Sequence, residues 1–429
     1  MRALARGFAR AGQGPCLAPL THTGYLTGVS GAVSGRDGPA SPYDVVIVGG
    51  GVIGCAVAHF LLAEPGFRGT VAVVERDPSY ARASSQLSAS AIRQQFSQAV
   101  NILLGQHGIA FLRAADQHLA VDGDAPALAL RELGYLYLAT PDGRAGLAGN
   151  HALQRRHNAD VALLQPDDLR QRFPWLSLDG VALGSLGLSG EGWFDGPALH
   201  HAFRRGARTR GAAFLHAEAV GMELDGGGRV SAVRLADGTR LGCGTVVNAA
   251  GPYARHVAAM AGLRLPVEAR RRCVFVFRCP DALPGCPLVI DPSGLWFRPE
   301  GDGFLCGVPP AEDPEELDLT VDHALFGERA WPLLAARVPA FERLRLTGSW
   351  AGHYEYNTFD QNGLVGPHPE LPNLIAACGF SGHGMQQSPG VGRGVAEWIA
   401  HGEWRTLDLS PLSPARVGES RPLLERCVI

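Results

Sequence analysis

The apolar positions near the start of the chain form a regular pattern between Tyr43 and Glu75. Val45 to Val48 is a wholly apolar run, which is typical of a strand buried on both faces of a parallel sheet. Small and apolar residues then continue from Val52 to Ala63 over the length of a helix, and Thr70 to Val74 is a second apolar run. The pattern therefore predicts a strand, a helix and a strand in succession.

Three glycines, Gly49, Gly51 and Gly54, join the first strand to the helix at G-x-G-x-x-G spacing. In such a loop the first glycine permits a tight turn, the second lets the backbone approach a pyrophosphate, and the third allows close packing of helix and strand. The N-terminus of the helix presents unpaired N–H groups to the phosphates. Glu75, at the end of the second strand, would accept hydrogen bonds from ribose hydroxyls and repel a 2′-phosphate. These residues predict a dinucleotide site that disfavours NADP.

Two later segments repeat this arrangement of a buried strand, small residues and the start of a helix. They are TVVNAAGPYAR at 245–255 and GFSGHGMQQSPGVGRGVAEWI at 379–399. Their glycines indicate places where a strand end meets a ligand closely. Residues 81–97 are rich in small residues up to Ala91 and then present Arg93. The sequence thus predicts several backbone segments that lie against a cofactor.

Residues 266–310 differ, because their apolar positions alternate in the way of half-buried strands. We predict an antiparallel sheet here, with a turn at Pro299 to Gly303, and interpret this strand-rich section as a second domain inserted into the first. The remaining predicted elements are helices at Asn101–His118 and Ala198–Arg210 and strands at Gly134–Ala139, Phe214–Leu224, Val230–Leu235, Thr239–Leu241 and Asn373–Cys378.

The composition, 46% hydrophobic and 18% charged over 429 residues with a net charge of -3, is typical of a soluble protein, and the length suffices for two domains or one large interleaved pair. No basic excess points to nucleic acid, and no apolar run reaches the ~18 residues that a membrane span requires. The cysteines lack the C-x-x-C spacing of zinc sites. They predict neither a metal site nor a disulfide framework, which favours a reducing compartment.

Residues 1–42 carry several arginines but no acid before Asp37. An arginine-bearing, acid-poor leader fits a mitochondrial transit peptide, and the alternatives are an unstructured extension and a mis-assigned start codon. Arginine supplies all 38 basic residues of the chain, because no lysine is present. That absence restricts the cations available to any site.

The separated glycine segments, in this order and together with Glu75, resemble the D-amino-acid-oxidase-like flavoprotein superfamily, in particular its sarcosine oxidase and dimethylglycine dehydrogenase branch. Longer strings, including EGWFD, YNTFDQNG and GFSGHGMQQSPGVGR, narrow the resemblance to mitochondrial flavoproteins that serve the assembly of respiratory complex I. The resemblance extends from Tyr43 to Leu409.

The resemblance implies an α/β fold. Its first part would be a discontinuous, glutathione-reductase-like FAD-binding Rossmann domain, and an α+β substrate domain with a mixed or antiparallel sheet would be inserted into it. The implied FAD-binding domain takes residues 43–125, 195–265 and 350–409, the substrate domain takes 126–194 and 266–349, and 410–429 form a C-terminal tail.

The resemblance also implies FAD rather than NAD as the cofactor. The residues implied to bind it are Gly49, Gly50, Gly51 and Gly54 at the pyrophosphate with Val52 and Ile53 beside them, Glu75 and Arg76 at the adenosine end, Ser84 and Ser85 at the phosphates, Val220 at the adenine, Ala250 and Gly251 at the middle of the cofactor, and Gly382, His383, Gly384 and Met385 at the flavin ring.

Three residues are implied to act on the substrate. Arg93 matches the carboxylate-binding arginine of the family, and its planar fork suits that bidentate task; the alternative is a surface or ion-paired arginine. His383 would orient substrate or flavin, or would only make a structural hydrogen bond within its loop. Gln386 stands where sarcosine oxidase has a lysine as the second partner of the carboxylate.

Further positions depart from that oxidase. Leu305 stands near the place of the lysine credited with activating oxygen, so we favour a dehydrogenase over an oxidase. His353 replaces the cysteine that carries covalent flavin. Histidine can also form a flavin bond, but we favour non-covalent FAD. Arg298 either contacts substrate or pairs with an acid across its hairpin, and we favour the pair.

Two functions follow as hypotheses, and they are not exclusive. The first is an FAD-dependent dehydrogenase in the mitochondrial matrix. Its substrate would be a small amino acid with a secondary or tertiary amine, and the α-hydrogen of this substrate would leave as hydride to flavin N5. The second is a complex I assembly factor that holds FAD as a structural element, binds assembly intermediates and touches the inner membrane only peripherally. A third, an NADPH-using flavin hydroxylase, would need a further nucleotide site, which we do not find in the sequence.

Overall fold

The computed structural model of the protein describes residues 42–427. The predicted mitochondrial leader lies outside the described residues, except for its last position. The strands, in chain order, are β1 Tyr43–Val48, β2 Val71–Glu75, β3 Ala91–Ile92, β4 Tyr135–Ala139, β5 Val161–Leu164, β6 Leu183–Gly187, β7 Gly192–Trp193, β8 Ala213–His216, β9 Ala219–Leu224, β10 Val230–Leu235, β11 Arg240–Asn248, β12 Val267–Arg278, β13 Leu288–Ile290, β14 Trp296–Glu300, β15 Gly303–Gly307, β16 Arg345–Asn357, β17 Leu364–Pro367 and β18 Leu374–Cys378. The helices are α1 Val52–Ala63, α2 Ala99–Arg113, α3 Ala115–Leu119, α4 Arg144–Arg156, α5 Pro166–Arg172, α6 Gly196–Thr209, α7 Ala254–Ala259, α8 His323–Leu325, α9 Trp331–Arg337, α10 Gly384–His401 and α11 Ala415–Gly418.

The first sheet has eight strands, and its central strands are parallel. The order is β17-β18-β11-β1-β2-β8, and β10 and then β9 continue antiparallel from β11. Val48, at the end of β1, is paired with Val74 of β2 and with Asn248 of β11. Because these strands run in the same direction, the loops that follow them emerge at one edge of the sheet.

The second sheet also has eight strands, in the order β16-β12-β15-β14-β13-β4-β6-β5. It is mixed, since β4 and β13 are parallel while neighbouring pairs such as β12 and β16 are antiparallel. The predicted fold class, an α/β nucleotide-binding sheet combined with a second, mixed sheet, is confirmed. The domain boundaries remain a prediction, and β16 spans the one placed at residue 350.

Three predicted elements are wrong in their bounds. Phe214–Leu224 is not one strand, because β8 pairs with β2 and β9 then turns to pair with β10. Thr239–Leu241 is only the beginning of β11, whose first half pairs with β10 and whose second half pairs with β1. The helix predicted at Asn101–His118 divides at Ala114 into α2 and α3. For the strands, the break is set by a distant pairing partner that a local pattern does not show.

The two faces of the first sheet are covered by different layers. Val45 and Ile47 of β1 belong to the core formed with α1, α2, α6 and α10, whereas Val46 and Val48 belong to the core formed with β9, β10 and α7. Because β18 is parallel to β11, α10 begins at the same edge of the sheet as α1. In the part of the chain that the structure describes, no helix is long and apolar enough to cross a membrane.

A buried ion pair ties α11 to the segment that follows β16. The guanidinium of Arg416 donates to both carboxylate oxygens of Asp360, at 2.7 and 3.0 Å, and both side chains are almost fully shielded from solvent. The same guanidinium donates to the main-chain oxygens of Asn362 and Gly363. A buried pair is stable only when its remaining donors are satisfied in this way.

We expect Arg416→Met to destabilise the protein by about 3–5 kcal/mol, because it leaves the buried Asp360 carboxylate without a partner. The measurement is the midpoint of thermal unfolding at a fixed FAD concentration. Arg170→Met is the control, since Arg170 and Asp167 form an exposed pair, and its loss should be about 0–1 kcal/mol. Equal shifts for both variants would contradict the role of the buried pair.

Candidate active site

Two close backbone approaches shape the first glycine loop. Gly49 has a φ of +104°, and a Cβ atom there would lie 2.3 Å from the carbonyl oxygen of Ala249. A Cβ atom on Gly54 would lie 2.0 Å from the carbonyl oxygen of Gly49. Only glycine fits at either position, so the loop joins the ends of β1 and β11 through main-chain contact.

Side chains of the following segments hold this loop in place. The N–H of Gly50 donates to the Glu75 carboxylate at 2.8 Å, and the N–H of Val52 donates to the Ser85 hydroxyl at 2.9 Å. The Ser84 hydroxyl oxygen is shielded from solvent and has no hydrogen-bond partner among residues 42–427. Buried polar groups are normally hydrogen-bonded, so this hydroxyl is available to a ligand such as a phosphate group.

A cavity extends from the glycine loop to the N-terminus of α10. Of the residues predicted from the sequence, it is lined by Gly49, Gly51, Val52, Ile53, Glu75, Arg76, Ser84, Ser85, Arg93, Ala250, Gly251, His353, Gly382, His383, Gly384, Met385 and Gln386. Gly50, Gly54 and Val220 are not among its lining residues. Val220 lies on β9 with 49% of its surface exposed, and Ala219 lines the cavity instead, because neighbouring residues of a strand point to opposite sides.

At the α10 end, the cavity contains a carboxyl group that the sequence analysis missed. Glu355 of β16 lines the cavity and accepts a hydrogen bond from the N–H of Gly379 at 3.1 Å. A Cβ atom on Gly384 would lie 3.3 Å from one of its oxygens, and a Cβ atom on Gly251 would lie 3.9 Å from the other. Burial raises the pKa of Glu355 to about 7. A carboxyl group that titrates near neutral pH therefore lies between two segments predicted to contact the cofactor.

Arg93 lines the same cavity and is 1% exposed. Its guanidinium donates to the Gln95 carbonyl at 2.6 Å, to the Cys427 carbonyl at 2.5 Å and to Nε2 of His383 at 2.8 Å. It also lies 4.1 Å from the centroid of the Phe96 ring. Within the described part of the chain, no carboxylate forms an ion pair with it. Arg93 is thus neither a surface arginine nor an ion-paired one there.

His383 is the hydrogen-bond partner that connects Arg93 to α10. Since a guanidinium can only donate, Nε2 of His383 accepts, which places the proton of the neutral ring on Nδ1. Burial, aided by the charge of Arg93, holds the pKa of His383 well below its ordinary value. The neutral imidazole therefore orients the Arg93 fork over the whole physiological pH range.

A second carboxyl group that the sequence analysis missed, Glu191, supports the segment that carries Arg93. It is completely buried and accepts the main-chain N–H groups of Gln94 and Gln95, at 2.7 and 3.0 Å, and the Gln95 side-chain amide at 2.8 Å. Burial raises the pKa of Glu191 to about 7. The string EGWFD contains this residue, but no local spacing indicates what it holds.

Gln386 and His353 occupy the cavity wall without supplying charge. The side-chain oxygen of Gln386 accepts the main-chain N–H of Arg93 at 2.8 Å, so it positions Arg93. His353 lines the cavity, and both of its ring nitrogens are shielded from solvent and lack a hydrogen-bond partner in the described part of the chain. Burial lowers the pKa of His353, so this ring too is neutral.

Two other arginines near the site have their own acidic partners. Arg298 pairs with Glu300, two positions further along its own strand rather than across the hairpin. Arg272, which the sequence analysis missed, lines the cavity but donates to both oxygens of Asp313, at 2.6 and 2.7 Å. Leu305 is buried in β15 and does not line the cavity.

Comparison with known proteins gives the family. The model of the DAO family, described as FAD dependent oxidoreductase, matches residues 44–398. The chain belongs to this family. The FAD-dependent oxidoreductase domain-containing protein 1 of Xenopus laevis is 44% identical over 448 residues, which cover 96% of this chain and 87% of that protein.

One further relative and one solved structure are more distant in sequence. Mitochondrial dimethylglycine dehydrogenase of Mus musculus is 27% identical over 420 residues, which cover 91% of this chain but 46% of that protein. The crystal structure of L-proline dehydrogenase from P. horikoshii has a TM-score of 0.78 at 24% identity and covers 89% of this chain and 99% of that one. The likeness to the L-proline dehydrogenase structure shows a shared fold.

FAD is the cofactor of this family, and the residues present fit it. At Gly49 and Gly54 the loop has no room for side chains, so its backbone can lie close to a ligand. The Ser84 hydroxyl, which has no partner among residues 42–427, can donate to a phosphate. The residues at the start of α10 line the same cavity. Within residues 42–427, no group of His, Cys, Asp and Glu side chains is arranged to hold a metal ion.

We expect Gly54→Ala to lose FAD, because its Cβ atom would collide with the Gly49 carbonyl oxygen and force the glycine loop open. The measurement is the ratio of flavin to protein absorbance after gel filtration. Gly146→Ala is the matched control, since a Cβ atom on Gly146 of α4 would meet no atom within 4 Å. Its FAD content should be unchanged, and its stability should rise by about 1 kcal/mol at most. Retention of full FAD content by Gly54→Ala would refute the role of the close approach.

Proposed function

We propose that this protein oxidises the C–N bond of a small amino acid with FAD as the electron acceptor, and that Arg93 binds the substrate carboxylate. The observation that carries the proposal is a fully buried guanidinium in the FAD cavity with no carboxylate partner among the described residues. A buried charge is unfavourable unless an opposite charge compensates it. A substrate carboxylate would do so through charge-assisted hydrogen bonds.

The relationship to dimethylglycine dehydrogenase supports a secondary or tertiary amine as the substrate class. When bound, FAD supplies the two-electron acceptor for the hydride that leaves the substrate carbon. The side chains of the protein would then act by position: Arg93 holds the carboxylate, and neutral His383 holds the Arg93 fork. Loss of hydride from the neutral amine gives an iminium ion, which water hydrolyses to a carbonyl compound and an amine, with release of a proton.

An amine reacts in this way only after its ammonium group has lost a proton. Glu355 lines the same cavity, its carboxyl group lies beside Gly384, and its pKa is raised to about 7. A general base works best when its pKa is close to the working pH. We therefore propose that Glu355 accepts the ammonium proton.

We further propose that the reduced protein passes its electrons to a carrier rather than to oxygen. The proposal is supported by Leu305, a buried apolar side chain near the place where the resembling oxidase has a lysine. No lysine elsewhere in the chain can supply that charge, because the chain contains no lysine.

A second candidate function is the assembly of respiratory complex I, with FAD as a structural element. Two observations favour a non-catalytic role of FAD: Gln386 supplies no second positive charge, and a carbonyl group of the chain itself accepts a hydrogen bond from Arg93. A mitochondrial location belongs to both candidates and is supported by the mitochondrial dehydrogenases among the relatives. Co-sedimentation with complex I subassemblies would separate them, since a purely metabolic dehydrogenase has no reason to co-sediment.

We expect Arg93→Met to reduce the rate of substrate-driven flavin reduction by about 100-fold or more, because the carboxylate is no longer held in position. The measurement is anaerobic stopped-flow absorbance with sarcosine and dimethylglycine. FAD content should remain, which separates a binding defect from misfolding. Arg68→Met, at an exposed position, is the control and should react like the original protein. Unchanged reduction in Arg93→Met would refute the assignment.

Glu355→Gln tests the proposed base. Below pH 7 the Glu355 carboxyl group is protonated and cannot accept a proton, so the rate of flavin reduction should rise as the pH passes through about 7. In Glu355→Gln this rise should disappear and the rate above pH 7 should fall by about 100-fold. Glu370→Gln, at an exposed position, should keep the profile. An unaltered pH profile in Glu355→Gln would exclude the residue as the base.

A further inference from the structure

The last described residues of the chain contact Arg93, one of the residues that line the cavity. We call residues 422–427 the C-terminal strap. The N–H groups of Leu423 and Glu425 donate to the side chain and the carbonyl of Asp360, at 2.9 and 3.1 Å. The strap ends with the carbonyl of Cys427 at 2.5 Å from Arg93. It therefore bridges the Asp360 segment and the proposed substrate arginine.

A buried carboxylate anchors the middle of the strap. Glu425 is 1% exposed, and one of its oxygens accepts the main-chain N–H and the hydroxyl of Ser97, at 2.8 and 2.6 Å. The other oxygen accepts the side-chain amide of Asn101 at 2.8 Å. These groups lie at the start of α2, where the helix dipole favours a negative charge. The strap is thus held at a defined position next to Arg93.

The strap accepts a hydrogen bond from an Arg93 N–H group that a substrate carboxylate would need. One terminal nitrogen of Arg93 donates to Gln95 and the other donates to both His383 and Cys427. A bidentate carboxylate requires two parallel donors of the fork. Of the three partners, the Cys427 carbonyl is the one that lies outside both the loop of Arg93 and the start of α10.

We propose that the C-terminal strap is a displaceable occupant of the substrate site: the Cys427 carbonyl takes the place of a carboxylate oxygen until an anionic ligand replaces it. A carboxylate carries a full charge and makes stronger hydrogen bonds to a guanidinium than a neutral carbonyl does. It also supplies a counter-ion, which buried Arg93 does not have among residues 42–427. The strap thereby regulates the site, and this inference rests on the proposed carboxylate role of Arg93.

The experiment measures binding of 2-furoate, a small carboxylate without an oxidisable C–N bond, to the FAD-loaded full-length protein by its effect on the visible flavin spectrum. Glu425→Ala removes the anchor, and a chain that ends at residue 421 removes the strap. Both variants should bind 2-furoate about tenfold or more tightly than the original protein, because the competent state is no longer a minor one. Glu419→Ala, which loses an exposed glutamate outside the strap, should be unchanged.

Hydrogen exchange on the unaltered protein provides a second measurement in case the variants fold poorly. Saturating 2-furoate should speed exchange of the main-chain amides of Arg426 and Cys427, whose donors now bond to Ser97 and Glu425. Three outcomes would each contradict the proposal that the strap is displaceable: equal affinity in all variants, absence of binding in all of them, or bound 2-furoate without faster exchange. Tighter 2-furoate binding without any amine oxidation would instead overturn the proposed function and leave the strap standing.

Discussion

The cavity depends on one constraint, the parallel register that brings the ends of β1, β11 and β18 to a single sheet edge. Because the first glycine loop, the segment after β11 and the start of α10 all emerge there, they surround a common space. The contact between Gly49 and Ala249 is made by main-chain atoms, so neither loop can carry a side chain at that point. The shape of the FAD site is therefore a property of backbone packing more than of side-chain chemistry.

The buried charge of Arg93 then distinguishes its end of the cavity from the glycine-loop end. Of the arginines that are buried in the described part of the chain, Arg298 and Arg416 each pair with a carboxylate, whereas Arg93 does not. Two buried acids near Arg93, Glu191 and Glu425, bond to main-chain N–H groups, and neither forms an ion pair with Arg93 in the part of the chain that the structure describes. A buried cation without an ion-pair partner lowers the free energy of unfolding. Its position at a cofactor cavity therefore points to an anionic ligand.

Local patterns predicted the parts of the site that local chemistry controls. The bounds of α1 and the glycine spacing agree with the sequence analysis, because the turn, the helix and the phosphate-facing N–H groups involve neighbouring residues. The strand predicted at Phe214–Leu224 is wrong, since its two halves pair with different strands. Glu355 was overlooked for a related reason: nothing beside it in the chain shows that the Gly251 and Gly384 segments enclose it.

The sequence by itself determined the nucleotide-binding unit, the flavoprotein family and the presence of an arginine suited to a carboxylate. Only the tertiary structure decided what that arginine can do. The partners of Arg93 include His383 and Cys427, which are 290 and 334 positions away along the chain. These two partners are neighbours of Arg93 in space alone, so their presence cannot be read from spacing. The physical reason is that charge compensation depends on distance through the folded interior, and a one-dimensional pattern does not contain that distance.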